Sequence, residues 1–282
     1  MKPNTIFSNM PKSFWATVRT VSQKIGYTIR GEGKVKVPTV REIKEAFLAL
    51  NLDPSVIMKK ETPTKLAKDL INYFKYRAYI LNNYVEPHLM DANRAKEVFD
   101  KLHSSLNPSC PIPMNKQRGD KKSPAYFTGI INMLIEKNAK GFSCDYDPRE
   151  LTTITINGAP LRTLSRRVDG AFPSVVNPTA IWEIKEYYYT TTFGSRVADG
   201  IYETMLDGIE LEELQEYENI KILHYLMIDS YYTWWVCGKS YLCRIIDMLH
   251  MGYVDEVLFG YEVIERLPKL VEKWISIQEE NS

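Results

Sequence analysis

Two strand-like segments joined by a tight turn constrain the fold of this chain of 282 residues more than any other feature. Residues 161–168 form the first segment, and residues 179–185 form a second that is rich in β-branched and aromatic side chains. The intervening segment, 172–178, contains two prolines, a serine and an asparagine, which favour turns. We therefore expect the second strand to fold back beside the first, in a chain of the α/β class.

Asp169 ends the first segment, and Glu183 and Lys185 lie on the second. Side chains alternate between the two faces of a strand, so Glu183 and Lys185 should point the same way, with Asp169 next to them. Two carboxylates can hold a hard cation, and an ammonium group can orient or help to deprotonate a water molecule. The pattern predicts a magnesium-dependent phosphodiesterase site; a structural ion pair at a strand end is the alternative.

The chain also contains a second Glu-x-Lys triplet, Glu42-Ile43-Lys44. This copy lies within 39–51, which has the start signal and periodicity of an amphipathic helix, so Glu42 and Lys44 would be far apart around it. No strand that ends in aspartate precedes the triplet. We therefore reject it as a site.

Asp169-(x13)-Glu183-x-Lys185 on two successive strands resembles the PD-(D/E)XK nuclease superfamily, and the layout is most similar to a type II restriction endonuclease. The resemblance covers roughly residues 123–265. It implies that Asp169, Glu183 and the Ile184 backbone carbonyl bind the metal ion and that Lys185 is the catalytic lysine. Val168 stands where the family often has proline.

A further metal ligand follows only from this resemblance. In related nucleases an acidic residue on the helix before the aspartate strand can assist metal binding, and Glu136 lies on the amphipathic segment 125–140. The alternative is a surface pair between Glu136 and Lys140, one helical turn further on.

The net charge of +1 conceals an uneven distribution. Residues 1–125 contain 22 Lys and Arg against 11 Asp and Glu, whereas residues 126–282 contain 14 against 24. A basic half attached to an acidic half with a metal site suits an enzyme that acts on a polyanion, and an unevenly charged surface is the alternative.

We find no membrane span or signal peptide, and we expect the four cysteines to be free thiols in the cytoplasm.

Helices near 39–51 and 63–84 could form a unit like a helix-turn-helix, with lysines at the start of the second helix. Solvated surface charge is the alternative for these lysines.

The segment 187–196, just past the predicted metal site, offers hydroxyl, aromatic and arginine side chains that suit the binding of phosphate and sugar groups. The candidate DNA-binding residues are Lys34, Lys36, Lys59, Lys60, Lys65, Thr191, Ser195 and Arg196.

The C-terminal part should alternate between helices and strands. A helix should run to about residue 206, with the acidic run 210–218 as a solvated segment. Gly238-Lys239-Ser240 is similar to a phosphate-binding loop, but Thr233 stands where its first glycine should be, so we do not expect a nucleotide triphosphate. The other predicted elements are strands at 221–228, 232–237 and 254–261 and helices at 239–251 and 267–279.

Together these patterns predict an α/β fold with a restriction-endonuclease-like core, a central mixed sheet flanked by helices, after an N-terminal helical region. We assign residues 1–110 to a basic DNA-binding region, 111–122 to a connector and 123–282 to the nuclease core. The expected function is Mg²⁺-dependent cleavage of double-stranded DNA by a homodimeric type II restriction endonuclease. The rivals are a nuclease of DNA repair or phage defence without a fixed site and a non-catalytic DNA-binding protein.

Overall fold

The structure is a computed structural model that describes residues 1–117, 120–189 and 194–280. Helices cover most of the N-terminal third and flank the sheet that follows. They are α1 (Thr5–Ser8), α2 (Lys12–Ile25), α3 (Val40–Ala49), α4 (Lys65–Ile80), α5 (Glu86–His88), α6 (Ala92–Leu106), α7 (Tyr126–Asn138), α8 (Ser195–Glu218), α9 (Lys239–His250) and α10 (Glu262–Glu280). A 3₁₀ turn (Pro54–Val56) and two π-helical turns (Leu81–Val85 and Tyr231–Cys237) complete the helical segments.

The strands form one five-stranded sheet and three separate hairpins. They are β1 (Met58–Lys59), β2 (Thr62–Pro63), β3 (Met114–Gln117), β4 (Asp120–Pro124), β5 (Asp145–Tyr146), β6 (Thr153–Ile156), β7 (Ala159–Thr163), β8 (Gly170–Phe172), β9 (Ala180–Glu186), β10 (Leu223–Asp229) and β11 (Glu256–Phe259). The large sheet has the order β11-β10-β9-β8-β5. β9, β10 and β11 are parallel, while β8 is antiparallel to both β9 and β5, so the predicted mixed sheet flanked by helices is confirmed.

The two faces of this sheet carry different cores. On one face, α6, α7 and α10 pack against Trp182, Tyr225 and Met227. On the other face, α8 and α9 pack against Leu226 and Ile228. The parallel register aligns Leu226 with Glu183 and Ile228 with Lys185, so these two charged side chains belong to the face that α8 and α9 cover. The sheet is therefore the middle layer of a three-layer arrangement.

Local sequence signals explain where several elements begin and end. Thr39 and Glu42 form a reciprocal capping box at the start of α3, so the second Glu-x-Lys triplet is helical, as predicted. Asn157 and Gly158 have φ angles of 51° and 79°, which two-residue hairpins require, and they join β6 to β7. The first strand is shorter than predicted, because β7 ends at Thr163 and Asp169 directly precedes the separate strand β8.

Three other predictions are wrong in detail. α8 continues through the acidic run to Glu218, because Leu211 and Leu214 give that run a buried side. The segment predicted as a strand at 232–237 is a π-helical turn. The connector between α3 and α4 holds a 3₁₀ turn and the β1–β2 hairpin, so it is too long for the three-to-four-residue turn of a helix-turn-helix.

The N-terminal helices dock on the sheet-bearing part of the chain through a buried ion pair. Arg77 on α4 lies 2.9 Å from Asp247 on α9, and both side chains are almost fully buried. The Tyr73 hydroxyl donates a second hydrogen bond to Asp247 at 2.5 Å. The helix α6, which the sequence assigned to the N-terminal region, also packs against α7 within the core of the sheet. The packing therefore joins the two regions closely.

Two further sequence predictions concern membranes and thiols. None of the described helices has the length and apolar character needed to cross a membrane. Cys110, Cys144, Cys237 and Cys243 are all free thiols, as predicted.

The ion pair yields a stability prediction. Arg77→Ala leaves Asp247 buried without its counter-charge, which should lower the free energy of unfolding by about 3–5 kcal/mol in urea denaturation. Arg41 and Glu45 form an exposed pair and serve as the control. Arg41→Ala should leave the free energy of unfolding nearly unchanged. Equal effects of the two substitutions would show that the Arg77 pair does not hold the regions together.

Candidate active site

The β8–β9 pairing brings Asp169 and Glu183 side by side. Gly170 pairs with Trp182, and since Asp169 directly precedes Gly170 while Glu183 directly follows Trp182, the two carboxylates lie next to each other where this ladder ends. The Asp169 amide donates to the Trp182 carbonyl at 3.1 Å, which holds Asp169 at the end of the ladder. A Cβ at position 170 would lie 2.2 Å from the Trp182 ring, so glycine permits this close pairing. The structure thus places Asp169 next to Glu183, as the sequence predicted.

Lys185 lies at the centre of a group of carboxylates. Its Nζ is 2.7 Å from Glu183, 3.3 Å from Glu203 and 4.0 Å from Asp169. Gly200 on α8 makes room for the lysine, because a Cβ there would lie 3.1 Å from the Lys185 side chain. Asp169, Glu183 and Lys185, predicted from two strands, therefore meet with a residue of α8.

Arg166, Glu203 and Asp207 belong to the same cluster, and sequence reasoning did not assign them to it. The Arg166 guanidinium lies 2.8 Å from Glu183 and 2.6 Å from Asp207. Glu203 and Asp207 are four residues apart on α8, so they face the same side of that helix. Two acidic residues at i and i+4 on the helix that follows the Glu-x-Lys strand are the sequence pattern that could have indicated these two carboxylates. Arg166 lies in the loop between β7 and β8, and only the tertiary fold reveals its role.

The acidic cluster, defined here as Asp169, Glu183, Glu203 and Asp207, carries more negative charge than its cations offset. Only Arg166 and Lys185 form ion pairs with these four carboxylates among the described residues. Desolvation and then repulsion from Glu183 raise the pKa of Asp169 to about 6 and that of Asp207 to about 7. The cluster would therefore accept further positive charge.

The pKa values of Glu183 and Lys185 shift so that both groups stay charged. Burial alone would raise the pKa of Glu183, but Lys185 and Arg166 outweigh it and lower the pKa. Burial alone would lower the pKa of Lys185, but Glu183 and Asp169 outweigh it and raise the pKa above its usual range. Lys185 is thus held as an ammonium ion, which suits electrostatic support rather than proton abstraction.

The Ile184 backbone faces Asp169. The Ile184 amide donates to the Asp169 carboxylate at 2.7 Å. The amide and carbonyl of one residue in a strand point to the same side, so the Ile184 carbonyl is directed toward the side on which Asp169 lies. A metal ligand role for the Ile184 carbonyl would require it to face Asp169 in this way.

The carboxylates of the acidic cluster are chemically suited to a hard divalent cation. In this structure they form ion pairs with Arg166 and Lys185. Within the described ranges, no three Asp, Glu, His or Cys side chains are already grouped to hold a metal ion. However, one buried oxygen each of Glu183 and Asp207 has no hydrogen-bond partner. Arg166 lies near that Glu183 oxygen without hydrogen-bonding geometry. Carboxylate oxygens are the ligands that Mg²⁺ prefers.

A cleft of about 500 Å³ opens beside this cluster. Asp169 lines it, and 41% of the Asp169 side chain remains exposed, whereas the Glu183 side chain is fully buried. Arg149, Arg166 and Arg167 line the same cleft. Arginine forks bind phosphate oxygens, so the cleft can bring a phosphate group to the exposed carboxylate of Asp169.

The structure places Glu136 away from the acidic cluster. Its carboxylate accepts hydrogen bonds from the Ser109 amide at 3.1 Å and from the Ser109 hydroxyl. Its helix, α7, packs on the Trp182 face of the sheet, whereas Glu183 points to the other face. The prediction that Glu136 assists metal binding with Glu183 therefore does not fit the fold, and its partner is Ser109 rather than Lys140.

The candidate DNA-binding lysines lie in two segments of the chain, 34–36 and 59–65. Lys59 and Lys60 are exposed at the β1–β2 turn, and Lys65 is exposed at the start of α4. Lys34 pairs with Glu32 at 3.0 Å, and Lys36 pairs with Glu42. The first three lysines are therefore freer to meet a polyanion than the last two.

The remaining candidates lie at the start of α8. Thr191 falls outside the described residues, and so do the side chains of Ser195 and Arg196. Further along the same helix, Glu203 accepts hydrogen bonds from Lys185 at 3.3 Å and from Arg166 at 3.5 Å.

Comparisons with known proteins place the chain in a family. Residues 90–274 match the family described as Domain of unknown function (DUF7687), and because this match spans well over half of the chain, the chain belongs to that family. Residues 1–84 match a second family model, described as Domain of unknown function (DUF7690). No curated protein and no solved structure matches the chain. The two matched regions meet between residues 84 and 90, earlier than the division at residue 110 expected from composition.

The raised pKa of Asp207 yields a pH prediction. The unfolded chain releases this proton near the usual pKa of 3.8, whereas the folded protein holds it until about pH 7. The contribution of Asp207 to folding stability should therefore fall as pH rises from about 4 to about 7. With chelator present, Asp207→Asn should raise the free energy of unfolding at about pH 8 and change it much less at about pH 4.

The control for this experiment is Asp199→Asn, an exposed position on the same helix. That substitution should leave the pH dependence of urea denaturation unchanged. If Asp207→Asn behaved in the same way, the charge imbalance of the acidic cluster would not affect stability.

Proposed function

We propose that this protein is a Mg²⁺-dependent endonuclease that hydrolyses phosphodiester bonds in double-stranded DNA in the cytoplasm, and specifically a type II restriction endonuclease. The observation that carries the proposal is the meeting of Asp169, Glu183 and Lys185 at the edge of an arginine-lined cleft. Their arrangement on adjacent strands of a mixed sheet between helices supports the resemblance to the PD-(D/E)XK superfamily.

Asp169, Glu183 and the Ile184 carbonyl would hold the metal ion, with Glu203 and Asp207 as nearby carboxylates. When bound, Mg²⁺ supplies a Lewis acid that offsets negative charge on the phosphate oxygens. Arg166 and Arg167 line the cleft where the scissile phosphate would be bound and oriented. Lys185, held as an ammonium ion, orients the attacking water or offsets charge on the phosphate.

The main alternative is a structural ion network in a DNA-binding protein without catalysis. Two observations favour the catalytic interpretation. A purely structural network is expected to balance its charges, but four carboxylates here face two cations. A structural network also has no need of a carboxylate open to a cleft, whereas Asp169 is open to one. A related nuclease without a fixed site would share the same chemistry.

The direct test uses two substitutions in the acidic cluster. Asp169→Ala removes a proposed ligand, and Lys185→Ala removes the ammonium group. Each should lower the rate of plasmid cleavage by several orders of magnitude, while duplex binding persists. Binding should persist because Asp169→Ala removes a negative charge from the cleft and adds no steric clash.

Lys44→Ala is the matched control, since Lys44 occupies the same position in the helical Glu-x-Lys triplet. It should cleave at the wild-type rate. Wild-type cleavage by Asp169→Ala or Lys185→Ala would reject the site. For the wild-type protein, discrete fragments support restriction, smears support non-specific cleavage, and retardation without cleavage supports the binding alternative.

The exposed lysines near α4 provide the proposed DNA-binding surface. Replacing Lys59, Lys60 and Lys65 with alanine should weaken duplex binding and lower the slope of log affinity against log salt by roughly one unit per lost phosphate contact. Lys137, Lys269 and Lys273 are exposed lysines in the acidic part of the chain, and their triple replacement removes the same charge. Equal losses of duplex affinity in the two triple variants would contradict a DNA-binding surface localised near α4.

Removing residues 1–110 is not a suitable test of this surface. Such a truncation also deletes α6, which packs against α7 in the core of the sheet, and Arg77, which pairs with the buried Asp247. The shortened chain would therefore lose stability as well as its lysines.

The proposed enzyme acts as a homodimer. One acidic cluster serves one DNA strand, and two copies related by a two-fold axis match the symmetry of a duplex target. Light scattering with and without duplex tests this point. A protein that stays monomeric in both states and still makes double-strand breaks would point to sequential nicking instead.

A further inference from the structure

A pocket separate from the acidic cluster lies where the two family-model regions meet. It has a volume of about 420 Å³, within the range of roughly 300–1,000 Å³ that small-ligand sites occupy. Arg19, Thr20, Gln23 and Tyr27 line it from the region 1–84. The opposite wall comes from α8 and α9 in the region 90–274 and includes Tyr202, Met205 and Arg244.

Two arginines in this pocket have no acidic partner. Arg244 donates to the Tyr202 hydroxyl at 3.0 Å, and Arg19 contacts the Met205 sulfur at 3.1 Å. Neither guanidinium pairs with a carboxylate anywhere in the part of the chain that the structure describes. Asp247 also lines the pocket, but Arg77 and Tyr73 hold its carboxylate. The pocket is therefore cationic.

Aromatic rings fix the orientation of one of these cations. The Arg244 guanidinium stacks at 5.1 Å from the ring centres of both Tyr27 and Tyr241. Stacking on both rings restricts the arginine, so less freedom is lost when it binds an anion. The Tyr27 ring is already covered by the guanidinium groups of Arg77 and Arg244, whereas the ring of Tyr202 lines the cavity and offers flat apolar surface to a planar group.

We propose that this pocket binds a small anion that carries a phosphate and a planar ring, of the class of a nucleoside monophosphate. The two guanidinium groups bind the phosphate in a bidentate manner, and the Tyr202 ring contacts the planar group. Thr20 and Gln23 supply hydrogen-bonding groups at the wall. The pocket does not share its lining residues with the arginine-lined cleft beside Asp169, and the inference does not depend on the proposed nuclease activity.

Titration calorimetry on the full chain, with adenosine 5′-monophosphate as the probe, tests the proposal. The probe should bind, and adenosine without the phosphate should bind at least about tenfold more weakly, because hydrogen bonds to charged groups contribute about that much. Arg244→Ala and Arg19→Ala should each weaken binding of the monophosphate by about tenfold or more. Arg244→Lys should recover little affinity, since lysine lacks the planar fork.

Arg94→Ala is the matched control, because Arg94 also stacks on a tyrosine, 4.8 Å from the Tyr261 ring, but lies outside the pocket. It should bind the monophosphate like the wild type. Arg19 is exposed, so its variant gives a result even if Arg244→Ala does not fold. The proposal is overturned by equal binding of adenosine and its monophosphate, by no binding of either, or by wild-type affinity in Arg19→Ala. It is also overturned if both arginines are required for binding a short duplex but not for the monophosphate.

Discussion

The need to compensate a buried charge on β9 governs the organisation around the acidic cluster. Glu183 is fully buried in the central part of the sheet, and an unpaired carboxylate there would cost several kcal/mol. Lys185 lies two residues further along the same face, and Arg166 reaches Glu183 from the loop between β7 and β8. Gly200 lets α8 come close enough for Glu203 to meet Lys185. The positions of a strand, a loop and a helix thus depend on one buried carboxylate.

The parts of this arrangement that depend on local rules could be predicted from the sequence. Alternation along β9 placed Glu183 and Lys185 on one face, and the turn residues placed Asp169 beside them. The mixed sheet, the Asn157-Gly158 hairpin and most helices follow from similar local signals. Partners from distant parts of the chain could not be predicted. Arg166 and Asp207 are far apart in sequence, and only the packing of α8 brings them to Glu183. Glu136 had a suitable residue type and helix, but α7 covers the opposite face of the sheet.

The same limitation affected the division of the chain. Composition placed the boundary in the proline- and lysine-rich segment near residue 110, whereas the two family models meet between residues 84 and 90. Buried polar contacts instead cross the division that composition suggested near residue 110. Asp229, at the end of β10, accepts hydrogen bonds from the Met90 amide at 2.8 Å and from the Tyr188 hydroxyl. Desolvation raises the pKa of Asp229 to about 8, so this carboxyl group depends on those bonds. The composition of a segment indicates whether it suits an exposed linker, but it does not show which buried contacts its neighbours make with the rest of the chain.

The balance of charge separates a binding site from a structural ion network more clearly than residue types do. The Arg77–Asp247 pair is buried, matched one to one and supported by Tyr73, as a structural pair requires. The acidic cluster has more carboxylates than cations and includes two buried carboxylate oxygens that accept no hydrogen bond. The pocket between the two regions shows the reverse imbalance, with Arg19 and Arg244 lacking carboxylates. Within one fold, the matched pair explains stability, whereas the unmatched sets are the basis of the two proposed ligands of opposite charge: a cation for the carboxylates and an anion for the arginines.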